Sequence, residues 1–242
     1  MSHEMQRQAG PVVDTLPDDD TFRAPLQYPP DVLLANARAA RMPLFAPARR
    51  AADLIDITRV DPAIALDVRY ATARNFLGFP VYPAPRAFLQ RPAAQALSHA
   101  RALAARHGYG LLVYDAYRPW HVSYLFRQAV PEDLYEFVGD PAIGSRHNRG
   151  CAVDLTLWDL ATRRVVSMPS GFDEMTPRAH VAYGGGGGDV AARALRDLLA
   201  QIMMASGFLP LAEEWWHFDY GHWQDYPVMD LPFDAIGRDT AP

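Results

Sequence analysis

Cysteine is nearly absent: Cys151 is the only one in 242 residues. No intramolecular disulfide can form, so stability must come from a packed core, and a reducing compartment suits the chain. Long apolar runs are also missing. Nothing approaches the ~18 consecutive apolar residues of a membrane span. The opening stretch MSHEMQRQAGPVVDTLPDDD has neither the apolar segment nor the cleavage site of a secretory signal. The expectation is a soluble, cytoplasmic protein. Cationic excess is lacking too, with 23 Lys and Arg against 28 Asp and Glu, a formal net charge of -5. A mildly acidic chain offers no electrostatic footprint for nucleic acid or an anionic membrane. There is no internal repeat, and the low-complexity tract is the glycine run at residues 184–188. Oligomeric state has no signature in the sequence.

Proline, by contrast, is concentrated early. Pro11, Pro17, Pro25, Pro29, Pro30, Pro43 and Pro47 punctuate residues 1–50, with an acidic triplet at 18–20. This segment reads as an extension wrapped on, or tethered to, a core, with room for a short helix over 31–41. The core domain spans residues 51–242. Residues 53–60 (DLIDITRV) alternate and predict a strand, and ALDVRYAT another extended segment. Residues 92–107 predict a strong helix, with proline in its first turn and Gly108 as its stop. GLLVYDAY predicts a strand, and 120–129 a helix. AVDLTLW alternates, with Ala152, Asp154 and Thr156 on one face and Val153, Leu155 and Leu157 on the other. Residues 189–206 predict a second strong helix closed by Gly207, and EEWWHFDY a last strand. Helices and strands do not alternate regularly. The fold class is therefore α+β, a small, mainly antiparallel sheet packed with helices.

Two constellations carry chemistry. In SRHNRGCAVD, His147 precedes Asp154 by seven residues, with Gly150 to bend the chain between them. Imidazole and carboxylate are both zinc donors. Asp154 sits on an apolar strand, where an unpaired charge is costly to bury. Spacing alone also allows separate structural roles, such as a salt bridge from Asp154 to Arg149. In EWWH, Glu214 precedes His217 by three. A carboxylate so placed takes a proton from metal-bound water in metallohydrolases. On a strand, however, positions three apart face opposite ways, so the two converge only if Glu214 lies in the turn before the strand. Otherwise His217 is a hydrogen-bonded core residue among tryptophans. Taken together, two histidines and one carboxylate leave a fourth zinc position for water. Arg118, ending the YDAYRP strand, supplies a cation for an oxyanion, unless Asp115 simply neutralises it.

With these residues assembled, the chain resembles the D-alanyl-D-alanine dipeptidases of the VanX type, zinc peptidases related to the D,D-carboxypeptidases and the hedgehog signalling domain. The resemblance rests on RYATARNFLGFPVY, GYGLLVYDAYRP, SRHNRGCAVDLTLW, GFDEMTPRAH, SGF and EWWHFDY, in family order. It implies a hedgehog-like peptidase fold and one Zn2+ per chain, with His147, Asp154 and His217 as ligands. It also implies Glu214 as catalytic base and Arg118 as the transition-state arginine. Tyr70, Ser145 and Asp173 fall on positions implicated in holding the dipeptide. Core packing remains open for Tyr70, and an N-cap role for Asp173. The implied reaction is hydrolysis of a free D,D-dipeptide. A carboxypeptidase acting on longer wall peptides and a non-catalytic zinc module are the rivals. Three features depart from the family pattern. The stretch between Arg118 and His147 is short, the N-terminal extension has no counterpart, and Cys151 stands where serine is familiar. Cys151 reads as a small buried side chain, and the glycine run as a solvated loop.

Overall fold

The computed structural model describes residues 10–14, 21–186 and 189–236. The acidic triplet at 18–20 and the last two glycines of the 184–188 run lie outside the described residues. In chain order the elements are α1 (Pro30–Ala39), β1 (Leu54–Asp56), α2 (Ile57–Val60), β2 (Ala65–Leu66), β3 (Phe88–Gln90), α3 (Arg91–Arg106) and β4 (Tyr109–Asp115). They continue with α4 (Trp120–Ala129), β5 (Ala152–Asp159), α5 (Val190–Ala205), β6 (Phe208–Leu211) and β7 (Glu214–Tyr220).

The main sheet has five strands in the order β2-β4-β5-β7-β6. Only the short β2 runs parallel to its neighbour, and the other pairings are antiparallel. The fold is the α+β arrangement expected. Strand β5 lies at the centre and is buried along nearly its whole length. Helices α3 and α5 pack on each other and on the sheet, burying Leu97, Ala100, Leu199 and Met203. Their ends are set locally. A proline occupies the first turn of α3, and Gly108 and Gly207 follow the two helices at φ +83° and +88°, a conformation that glycine adopts without strain.

Two expected strands are cut short. Over 53–60 only β1 pairs, with β3. The Asp56 side chain accepts from the Thr58 amide at 3.1 Å and hydroxyl at 2.7 Å, and this cap starts the helical turn α2. The segment at 65–72 pairs only at β2, then tightens into a 3-10 turn over Arg69–Ala71. Described parts of the proline-rich segment are laid against the core. Helix α1 packs on α4 and buries Leu33 and Ala37. Backbone amides of Ala24 and Gln27 donate to the carbonyls of Phe76 (3.0 Å) and Ala129 (2.9 Å).

Candidate metal centre and cleft

Three elements bring the first constellation together. His147 opens a 3-10 turn, His147–Arg149, which Gly150 ends at φ +65°. A side chain at Gly150 would be strained by that angle and would collide with Leu54. The buried Asn148 fixes the turn, accepting from the Ser145 amide at 2.8 Å and donating to the Arg118 carbonyl at 2.8 Å. Asp154 pairs in register with His217 across β5 and β7, so the two side chains leave the same face of the sheet. All three side chains are buried.

His147 Nε2 lies 3.1 Å from His217 Nδ1 and 3.3 Å from Asp154 Oδ1. His217 Nδ1 lies 3.0 Å from Asp154 Oδ1. Metal–ligand bonds of about 2.0–2.1 Å in a tetrahedral site put donor atoms roughly 3.3 Å apart, so the cluster has the size of such a site. The outer nitrogens support the same reading. His147 Nδ1 faces the Ala116 carbonyl at 2.6 Å. His217 Nε2 faces Asp219 Oδ1 at 3.0 Å. Both partners accept, so each ring keeps its hydrogen on the outside and turns a lone pair inward. Two lone pairs and a carboxylate oxygen repel one another unless a cation joins them. Burial opposes charge on His217, but hydrogen bonds to Asp154 and Asp219 prevail and raise its pKa to about 10. Burial likewise opposes ionisation of Asp154, yet His147 and His217 hold its carboxyl well below the usual range. A metal held here would compete with the proton on His217.

The convergence of Glu214 and His217 comes from a break in the ladder. Strand β6 pairs with β7 regularly as far as Pro210 with Phe218, then Leu211 pairs with Glu214. The intervening residues of β7 bulge, so the strict alternation of a strand does not apply. Glu214 Oε2 ends 3.7 Å from His217 Nδ1, beside the cluster rather than in it. Burial raises its pKa to about 7, with Asp154 adding and His217 and Arg118 opposing. A carboxyl poised near neutrality suits proton transfer.

A second bulge serves Arg118. Val113 pairs with Leu155 but Asp115 with Asp154. The extra residue, Tyr114, turns Asp115 to the face that carries Asp154. Arg118 Nε and Nη2 donate to Asp115 Oδ2 at 3.0 and 2.8 Å, and Nη2 lies 3.7 Å from Asp154 Oδ2. The Asp115 pairing left open by the sequence is therefore present. It does not withdraw Arg118, which stacks over Tyr70 and Phe126 and still lines the cleft.

That cleft, ≈ 220 Å³, is also lined by Tyr70, Ser145 and Asp173. It is smaller than the roughly 300–1,000 Å³ usual for drug-sized ligands. The Tyr70 hydroxyl reaches both Asp173 oxygens, at 3.0 and 2.9 Å. Asp173 has φ +60°, a conformation unusual for a non-glycine residue and often found at functional positions. It caps no helix: the cap of the following 3-10 turn is Thr176. Burial raises the Asp173 pKa well above the usual carboxylate value, and the neighbouring Asp154 adds to the rise. Ser145 Oγ accepts from the His147 amide at 3.1 Å. Cys151 is fully buried, and burial pushes its thiol pKa up. It is a packing residue.

Sequence reasoning missed Asp219 and gave Asp115 no role beyond neutralising Arg118. Asp219 was within reach, since it stands two residues after His217 on one strand face. The Tyr114 bulge that aims Asp115 leaves no pattern in the sequence.

Two imidazoles and a carboxylate that could hold a metal, with an acid and an arginine in the same small cleft, form the kind of site that metal-dependent hydrolases use. The comparisons with known proteins agree. The family model described as D-ala-D-ala dipeptidase, peptidase family M15, matches residues 50–233, and the chain belongs to that family of metallopeptidases. It is 36% identical to the D-alanyl-D-alanine dipeptidase of Escherichia coli (strain K12), over 76% of this chain and 93% of that protein. It is 39% identical to the dipeptidase of the same name from Enterococcus faecium, over 69% of this chain and 90% of that protein. A third, from Streptomyces coelicolor, is 34% identical over 75% of this chain and 96% of its own length.

Proposed function

We propose that the chain hydrolyses free D-alanyl-D-alanine, or a closely related D,D-dipeptide, with zinc held by His147, Asp154 and His217. Bound there, the ion would lower the pKa of water and polarise the scissile carbonyl. Glu214 takes the proton from the attacking water and passes it to the leaving amine. Arg118 offers its guanidinium to the oxyanion, and Asp115 holds that guanidinium in place. Tyr70 and Asp173 receive the substrate ammonium, with Ser145 completing a polar wall.

One observation favours a free dipeptide over a longer wall peptide. Asp173 is a buried acid that, among the described residues, has no cationic side chain within ion-pair distance. Burial disfavours its charged form, and an ammonium beside it, such as the free amino terminus of a dipeptide, would restore that form. The amine of a stem peptide is too far from its terminal D-Ala-D-Ala to fill that role. The test is release of D-alanine by the zinc-loaded protein from D-Ala-D-Ala, L-Ala-L-Ala and a pentapeptide ending in D-Ala-D-Ala. Only the first should be cleaved well. Comparable cleavage of the pentapeptide would replace this reading with a carboxypeptidase.

A further inference from the structure

A dipeptide is a zwitterion, and the proposed function accounts for only one of its charges. The cleft is strongly acidic: Glu136, Asp140, Asp154, Asp173, Glu213 and Glu214 all line it. Its cationic lining side chains are Arg118 and Arg146. Arg118 is held by Asp115 through Nε and Nη2, and its free edge already serves the oxyanion in the proposed reaction. Arg146 has no such assignment. Its Nε lies 3.3 Å from Asp219 Oδ2 as an ion pair, but is buried without an aligned hydrogen bond. Its two terminal nitrogens make no hydrogen bond among the described residues, and the side chain is 42% exposed. The guanidinium is held in place from below: it stacks over the Trp223 ring at 4.7 Å, and Asp219 in turn binds His217. Stacking and one ion pair orient a planar fork while leaving its outer edge for a ligand.

Placement matters as much as charge. Asp219 meets His217 Nε2, on the side of the ring that faces away from Asp154. Tyr70 bonds Asp173 and is stacked by Arg118, which lies 3.7 Å from Asp154. Tyr70 and Asp173 thus reach the three-ligand cluster through Arg118 and Asp154, and Arg146 reaches it through Asp219 and His217. We infer that Arg146 is the receptor for the substrate's terminal carboxylate, which it binds through its terminal guanidinium nitrogens. This inference rests on the dipeptidase reading. It adds that the enzyme selects for a free carboxyl terminus at one end as it selects for a free amine at the other.

The test compares D-Ala-D-Ala with its C-terminal amide as substrates for the zinc-loaded full chain, alongside Arg146→Ala and Arg146→Lys, with metal content measured for each. Wild type should favour the free acid in kcat/KM by about 10- to 100-fold, the range for losing a charge-assisted pair. In Arg146→Ala that preference should collapse toward unity, mainly through KM for the acid, while the amide is cleaved nearly as before. Arg146→Lys, a cation without the fork, should fall between. A wild type that does not distinguish acid from amide overturns the inference. So does an Arg146→Ala variant that loses activity equally on both substrates, because Arg146 would then act only through Asp219 and His217. If the wild type cleaves neither substrate, the dipeptidase reading itself falls, and the subsite with it.

Discussion

Replacing Glu214 with glutamine tests the proposed proton carrier with little change in shape. Glu214 Oε2 stands 3.7 Å from His217 Nδ1, near the ligand atoms but outside the three-residue cluster. Glutamine should therefore leave the metal bound while removing the base. General bases contribute about 10²–10⁴-fold, or roughly 3–5 kcal/mol of barrier at 1.36 kcal/mol per decade. The assay is D-alanine release from D-Ala-D-Ala over a range of pH, with metal content measured on the same samples. The wild-type rate should fall on the acid side as Glu214 takes up a proton. Burial raises its pKa to about 7, and the positive charge of an ion would move it lower. The residual rate of the variant should lack that acid limb. A variant with metal bound, wild-type kcat and the same acid limb would refute the assignment.

Further outcomes follow from other parts of the molecule. Asp219→Asn removes the charge that His217 Nε2 faces at 3.0 Å. In the metal-free protein the His217 pKa should fall from about 10, and an unchanged NMR titration would contradict the pairing. Leu33 of α1 is fully buried, so Leu33→Ala should cost about 2–5 kcal/mol in urea denaturation if the proline-rich segment is part of the cooperative fold. A change under about 0.5 kcal/mol would mean that α1 detaches before the core unfolds. Asp61 is buried, and burial opposes its ionisation. Hydrogen bonds from Ser98, Arg101 and the Ala63 amide outweigh that and lower its pKa. Its stabilising contribution is thus present above the unfolded carboxylate value of about 3.9 and is lost as pH falls through the lower folded pKa. Asp61→Asn should destabilise the protein at pH 7 and matter much less at pH 2. An equal loss at both would assign the effect to packing.

Much of this was readable from the chain because the signals were local. Helices α3 and α5 announce themselves by helical spacing and terminal glycines, β5 by alternation, β4 by an apolar run ended at Arg118-Pro119, and β7 by its aromatic residues. The extended readings at 53–60 and 65–72 ran too long for a shared reason: a capping side chain, Asp56, or a 3-10 turn had already bent the backbone. Ligand types and spacing were also local, and Gly150 marked the turn between them. What the sequence could not carry was register. Whether Glu214 and His217 meet depends on the irregular pairing of β6 with β7, and the place of Asp115 on a one-residue bulge opposite Asp154. Both are decided by the neighbouring strand, not by the residues themselves. Arg146 shows the same limit. Nothing in SRH distinguishes it from a surface arginine until Trp223, from a distant turn, is seen beneath it.

The central claim is that a single zinc ion on His147, Asp154 and His217 drives cleavage of D-Ala-D-Ala. Its most direct test is to strip the protein with a chelator and add zinc back in known steps while following D-alanine release. Activity should be absent at zero, rise in proportion to added zinc and level off at one equivalent per chain, with His147→Ala and His217→Ala showing no such rise. Full activity in the stripped protein, or a wild-type response retained in those variants, would contradict it.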